Sequence, residues 1–113
     1  MEIRSYLLLI FLIIGITEVI LSIPLILEKV PRNGLYGFRT QKTQSSDEIW
    51  YKSNKFIARD LFISGLIVVI GNLILLFINS EMSLRNTTII GLLTIIIPII
   101  ITLYRGFNYL EQL

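Results

Sequence analysis

The side chains able to do chemistry in this sequence are carboxylates, amides, hydroxyls and arginines, since it contains neither histidine nor cysteine. That removes the commonest general base, thiol nucleophiles, disulfides and the usual zinc and haem ligands. Asp47, Glu48 and Asp60 stand where acids could act on lipid headgroups, but no paired acidic metal motif accompanies them. Glu18 is a different case. It is the one ionisable group in SYLLLIFLIIGITEVILSIPLIL, residues 5–27. A carboxylate at mid-bilayer depth costs about 2.5–3.5 kcal/mol on insertion scales, so it must be neutral, paired or in contact with water. Arg59 and Arg105 are the cations expected to reach toward it. Asn72, also inside an apolar run, reads as an interhelical hydrogen bond. An alternative is a small transporter or channel subunit using Glu18, Asn72 and polar helix faces, which with so few spans requires an oligomer.

The densest group of hydrogen-bonding residues lies in EKVPRNGLYGFRTQKTQSSDEIWYKSNK, residues 28–55. Pro31, Asn33, Gly34 and Gly37 mark a tight turned segment. Tyr36-Gly37-Phe38-Arg39 alternates aromatics with a flexible residue and a guanidinium, which suits a membrane interface. Ser45 and Glu48, three apart, predict a capping box and a helix start. That helix is expected to carry Asp47, Trp50, Tyr51 and Asn54 on one face and to run toward the next apolar block. Lys52, Lys55 and Arg59 can bury their stems and send their charges to headgroups. Anchoring at the interface is the simplest role for such a loop. Asn33, Arg39, Thr43 and Asn54 fit it poorly, because anchoring needs no such mixture of hydrogen-bonding shapes. Arg39 is expected to bind an acidic side chain, a lipid phosphate or a helix C-terminus in a planar, two-pronged contact beside Tyr36 and Trp50. Gly37 allows the sharp turn that presents it.

The elements that must position these residues are membrane helices. Of 113 residues, 54% are hydrophobic and 16% charged, and the apolar residues come in long blocks. Residues 5–27 form about 34 Å of helix, enough to span a hydrocarbon core of about 30 Å. A cleaved signal peptide competes poorly, because the run is too long and no small-x-small site follows it. Residues 57–78 and 87–104 supply two further spans, joined by so short a link that they form a hairpin. A net charge of +2 gives no argument for nucleic acid, but its distribution gives a topology. Seven Lys and Arg residues lie from Lys29 in the first loop to Arg59 at the start of the second span, and Arg105 joins them, against Arg4 and Arg85 on the other side. The loop and the C-terminus are therefore expected in the cytoplasm and the N-terminus outside. Gly15, Glu18 and Ser22 share one stripe of the first helix; Asp60, Ser64, Ile67 and Gly71 one of the second; Thr87, Gly91, Thr94, Pro98, Thr102 and Arg105 one of the third. Stripes of small and polar residues are expected to pack together. The predicted fold is an all-α integral membrane bundle of three transmembrane helices in one domain, 1–113, with an interfacial helix in the first cytoplasmic loop.

The run VPRNGLYGFRTQKTQSSDEIWYKSN resembles the signature loop of the SdpI family, bacterial membrane proteins of toxin immunity and signal transduction. Asn33, Tyr36, Gly37, Arg39, Thr40, Thr43, Trp50 and Asn54 occupy the places of that signature. Gln41 stands where proline is usual and Gln44 where an aliphatic residue is usual, which implies a less rigid turn. The resemblance implies a protein of the bacterial cell membrane that has no enzymatic role and no cofactor. It would protect against a membrane-active peptide toxin and bind a repressor-type cytoplasmic regulator through loop 31–54. Those eight residues would be the binding positions.

Overall fold

The computed structural model describes residues 2–78 and 81–113, which form three long helices, α1 (Ile3–Ile26), α2 (Asp47–Ile78) and α3 (Leu84–Glu111). There is no strand among the described residues. Each helix is long and apolar enough to cross a membrane. Burial is inverted relative to a water-soluble protein: Ile13, Ile20, Ile63, Ile70 and Phe77 face outward, while Ser22, Ser64, Asn72 and Thr87 are enclosed. Small and polar interiors are what helices use when lipid removes the hydrophobic incentive to associate.

The helix ends follow local chemistry. At the end of α1, the Lys29 N–H donates to the Pro24 carbonyl at 2.9 Å and the Glu28 N–H to the Leu25 carbonyl at 3.2 Å. This paired closure needs a left-handed residue, and Glu28 takes it at φ 57°. Ser83 caps α3 by accepting the Asn86 N–H at 3.1 Å. The start of α2 departs from the expected capping box. Ser46 is the cap, accepting the Ile49 N–H at 3.2 Å. Ser45 sits in a 3-10 turn, Thr43–Ser45, with its hydroxyl on the Lys42 carbonyl. Glu48 turns outward to pair with Lys52 at 2.8 Å. No separate interfacial helix occurs among the described residues: the helix that begins at Asp47 continues unbroken to Ile78, because no Pro or Gly cluster interrupts it. It is 32 residues long, and α3 runs past its expected limit to Glu111.

α2 is the central helix, with α1 and α3 packed along it and far less contact between those two. Gly65 lets two backbones approach. A Cβ there would lie 2.7 Å from the Gly15 carbonyl oxygen, so the α1 and α2 backbones all but touch. The expected α2 stripe is accordingly rotated: Gly65 and Val68 face α1, and Ile67 is exposed. α1 meets α3 at the end remote from the loop, where the Phe11 ring covers Gly91.

Candidate functional site

The loop between α1 and α2 has almost no regular structure, and side chains supply the hydrogen bonds that a helix or sheet would provide. Asn33 organises the first turn. Its Oδ1 accepts the Leu35 N–H at 2.8 Å and the Tyr36 N–H at 2.7 Å, and its Nδ2 donates to the Pro31 and Tyr36 carbonyls at 2.8 and 3.0 Å. The Tyr36 hydroxyl donates to the Leu21 carbonyl of α1. Burial pushes the Tyr36 phenol above its ordinary pKa, so it stays a neutral donor.

Asn54 then ties the loop to α2. Its Oδ1 accepts the Phe38 N–H at 2.6 Å, and its Nδ2 donates to the Trp50 carbonyl at 3.0 Å and the Phe38 carbonyl at 3.3 Å. Trp50, 0% exposed, donates its indole N–H to the Val30 carbonyl at 2.7 Å. Gly37 is required here twice over. Its φ is 119°, and a Cβ would lie 2.8 Å from Asn54 Oδ1 and 2.9 Å from the Trp50 ring. Thr40 and Thr43 close the second turn reciprocally. The Thr43 hydroxyl accepts the Thr40 N–H at 2.7 Å and donates to the Thr40 carbonyl at 3.1 Å, while the Thr40 hydroxyl accepts the Thr43 N–H at 3.1 Å. Phe38 packs edge-on against Phe107 of α3, with ring centroids 5.1 Å apart.

Seven of the eight sequence-predicted loop residues shape the loop itself, with Thr43, Trp50 and Asn54 buried and Asn33, Tyr36, Gly37 and Thr40 half-buried. Arg39 is the exception. It is exposed and donates to the Gly34 carbonyl, not to a pair of acceptors beside Tyr36 and Trp50. Asn33, Thr43 and Asn54 cannot orient it, because their polar groups are spent on backbone. Gln44, where an aliphatic residue is usual, ties the two turns together: its Nε2 donates to the Asn33 carbonyl at 2.7 Å. Arg32, unremarked by the sequence reading except as a charge, bonds Asp47 at 2.8 Å and the Gln44 carbonyl at 2.8 Å.

Within the helices Asn72 makes the interhelical bond expected of it, and the charged groups find other partners than those expected. Glu18 accepts the Ser64 hydroxyl at 2.9 Å. Arg105 bonds Asp60 at 2.6 Å instead of reaching Glu18, and Arg59 is exposed. Asn72 joins α2 to α3, donating to Thr94 Oγ1 at 3.0 Å. Arg4 is the residue that sequence reasoning missed. It is buried, and its guanidinium donates to Thr87 Oγ1 at 3.1 Å and to the Leu75 carbonyl. A cation beside the last carbonyls of α2 is favoured by the helix dipole. The available signal was an arginine inside the first turn of an apolar helix, with a threonine, Thr87, in the first turn of α3. No group of three or more acids able to hold a metal occurs among the described residues.

The sequence model of the SdpI/YfhL protein family matches residues 29–104, from the start of the loop to the last turns of α3. No curated protein and no solved structure gives a significant match.

Proposed function

Because the chain belongs to the SdpI/YfhL protein family, we propose that it is a non-enzymatic immunity or sensory protein of a bacterial cell membrane. Family membership and three spanning helices make it a multi-pass membrane protein. In this reading it protects the cell against a membrane-active peptide toxin, and a repressor-type cytoplasmic regulator docks on the loop. The observation that carries the reading is the extent of the family match. It takes in the entire signature loop together with α2 and most of α3. The tight internal bonding of that loop supports a division of labour. Asn33, Gly37, Thr43, Trp50 and Asn54 set the shape, and the exposed rim of Arg32, Arg39 and Gln41 meets the partner. The asymmetry of Lys and Arg supports a topology in which the loop and C-terminus are cytoplasmic and the first turns of α2 lie at the interface, with Lys52 and Arg59 toward headgroups.

The test is expression in a sensitive bacterium challenged with membrane-active killing peptides, paired with capture of cytoplasmic partners by the full chain. Wild type should protect, and Arg39→Lys should lose nearly as much protection as Arg39→Ala if the guanidinium meets a fixed acceptor. Absence of both protection and a captured partner, with insertion into the membrane verified, overturns the reading.

A further inference from the structure

Leu35 is 91% exposed, more than any outward-facing apolar side chain of the three helices. It occupies the tip of the Asn33 turn, which folds back along α1. The 24 residues of α1 measure about 36 Å, so about 3 Å projects beyond each edge of a hydrocarbon core of about 30 Å. Leu21 lies five residues before Ile26, which is about 7.5 Å back from the helix end at 1.5 Å per residue, inside that edge. The Tyr36 hydroxyl sits on the Leu21 carbonyl, so the ring beside Leu35 descends to hydrocarbon depth. Gly37 and Phe38 agree, since they line a cavity of about 280 Å³ with Leu21, Leu25, Ile99 and Leu103 of the spans.

The second observation is the hydrogen bonding of the tip. The Leu35 and Tyr36 N–H groups go to Asn33 Oδ1, the Tyr36 carbonyl to Asn33 Nδ2 and the Gly34 carbonyl to Arg39. A turn in water could leave these groups to solvent. Irregular backbone entering a bilayer cannot, because an unsatisfied peptide group there costs several kcal/mol. Internal bonding of most of its backbone and an exposed apolar side chain at its tip suit a turn that lies at the headgroups, where the Gly34 N–H and Leu35 carbonyl meet water, and that reaches into lipid with the side chain alone. We infer that residues 33–36 form a finger that inserts the Leu35 side chain into the acyl layer of the leaflet on the loop's side. The inference needs the membrane embedding of the helices and does not rest on the immunity reading.

The chain lacks cysteine, so Leu35→Cys, Gln41→Cys and Ile100→Cys each provide a unique label site. Each full-length variant is spin-labelled and reconstituted in vesicles of phosphatidylcholine and phosphatidylglycerol. Collision rates with oxygen, which partitions into lipid, and with a nickel chelate, which stays in water, are then compared. The oxygen-to-nickel ratio at Leu35 should exceed that at Gln41 several-fold and approach that at Ile100, a lipid-facing position. Emission from Trp50, the sole tryptophan, verifies that each labelled loop is folded. A Leu35 ratio equal to that of Gln41 puts the tip in water and overturns the inference, leaving Leu35 for a protein partner. Exclusion of both reagents also overturns it, because the tip is then packed against protein. Neither result bears on toxin protection, which has its own assay.

Discussion

The loop and the helix bundle are held together by different means. In the bundle the close contacts are made by absence: Gly15, Gly65 and Gly91 lack side chains, so backbones and the Phe11 ring move in, and a few polar pairs cross between helices. In the loop the contacts are made by presence, with amides and hydroxyls standing in for the backbone ladder that irregular chain cannot form. The bundle therefore tolerates change at lipid-facing positions and not at small ones. The loop tolerates change at its rim and not at its amides. Lipid provides no hydrogen bonds, and apolar side chains gain nothing by leaving it, so close fit is what remains to join helices.

The sharpest way to break the loop is Trp50→Ala. Removing a fully buried indole should cost about 3–5 kcal/mol, and release the Val30 carbonyl as well. Thermal or denaturant unfolding in detergent measures it, and a cost below 1 kcal/mol would mean that the loop is not folded on α2. In the bundle, the counterpart is Gly65→Ala. Overpacking of this kind costs about 1–3 kcal/mol, and more where backbone is what must move, as at the Gly15 carbonyl. Gly34→Ala is its control, since nothing lies within 4 Å of a Cβ there. If both alanines destabilise equally, close approach is not what joins α1 to α2.

Asn54→Ala separates shape from surface. It strands the Phe38 N–H and should cost about 1–3 kcal/mol, accompanied by faster amide exchange across residues 36–40. Tyr36→Phe keeps the ring and deletes one donor, for about 0.5–1.5 kcal/mol by the same unfolding measurement. The smallest effect is a gain. Glu28 holds a left-handed conformation that costs a non-glycine residue about 1–2 kcal/mol. Glu28→Gly should recover part of that, net of the added freedom of the unfolded chain and an exposed 3.9 Å contact with Lys55. The expected result is stabilisation of under about 1 kcal/mol, and destabilisation would show that the Lys55 contact matters more than the backbone.

The three helices were legible because transfer of apolar side chains to lipid is a local, additive property of the sequence, which a window of residues already contains. The eight loop residues were legible as a group, since their types announce dense hydrogen bonding. Their partners were not. Ser45 and Ser46 are adjacent residues of one type, and only the path of the preceding turn decides which caps α2. Glu18 was expected to draw Arg59 or Arg105, and the rotation of α2 that lets Gly65 meet Gly15 gave it Ser64. Arg4 counted as one charge in a topology tally until the ends of α2 and α3 converged on it. Arg39 was expected beside Tyr36 and Trp50 and instead lies exposed on the Gly34 carbonyl, because the neighbouring amides are taken by backbone. By itself the sequence determined how many helices are long and apolar enough to cross the membrane and which residues build the loop. Tertiary structure alone decided who bonds whom, because hydrogen-bond partnership depends on helix rotation and chain path across residues far apart, which no local property encodes.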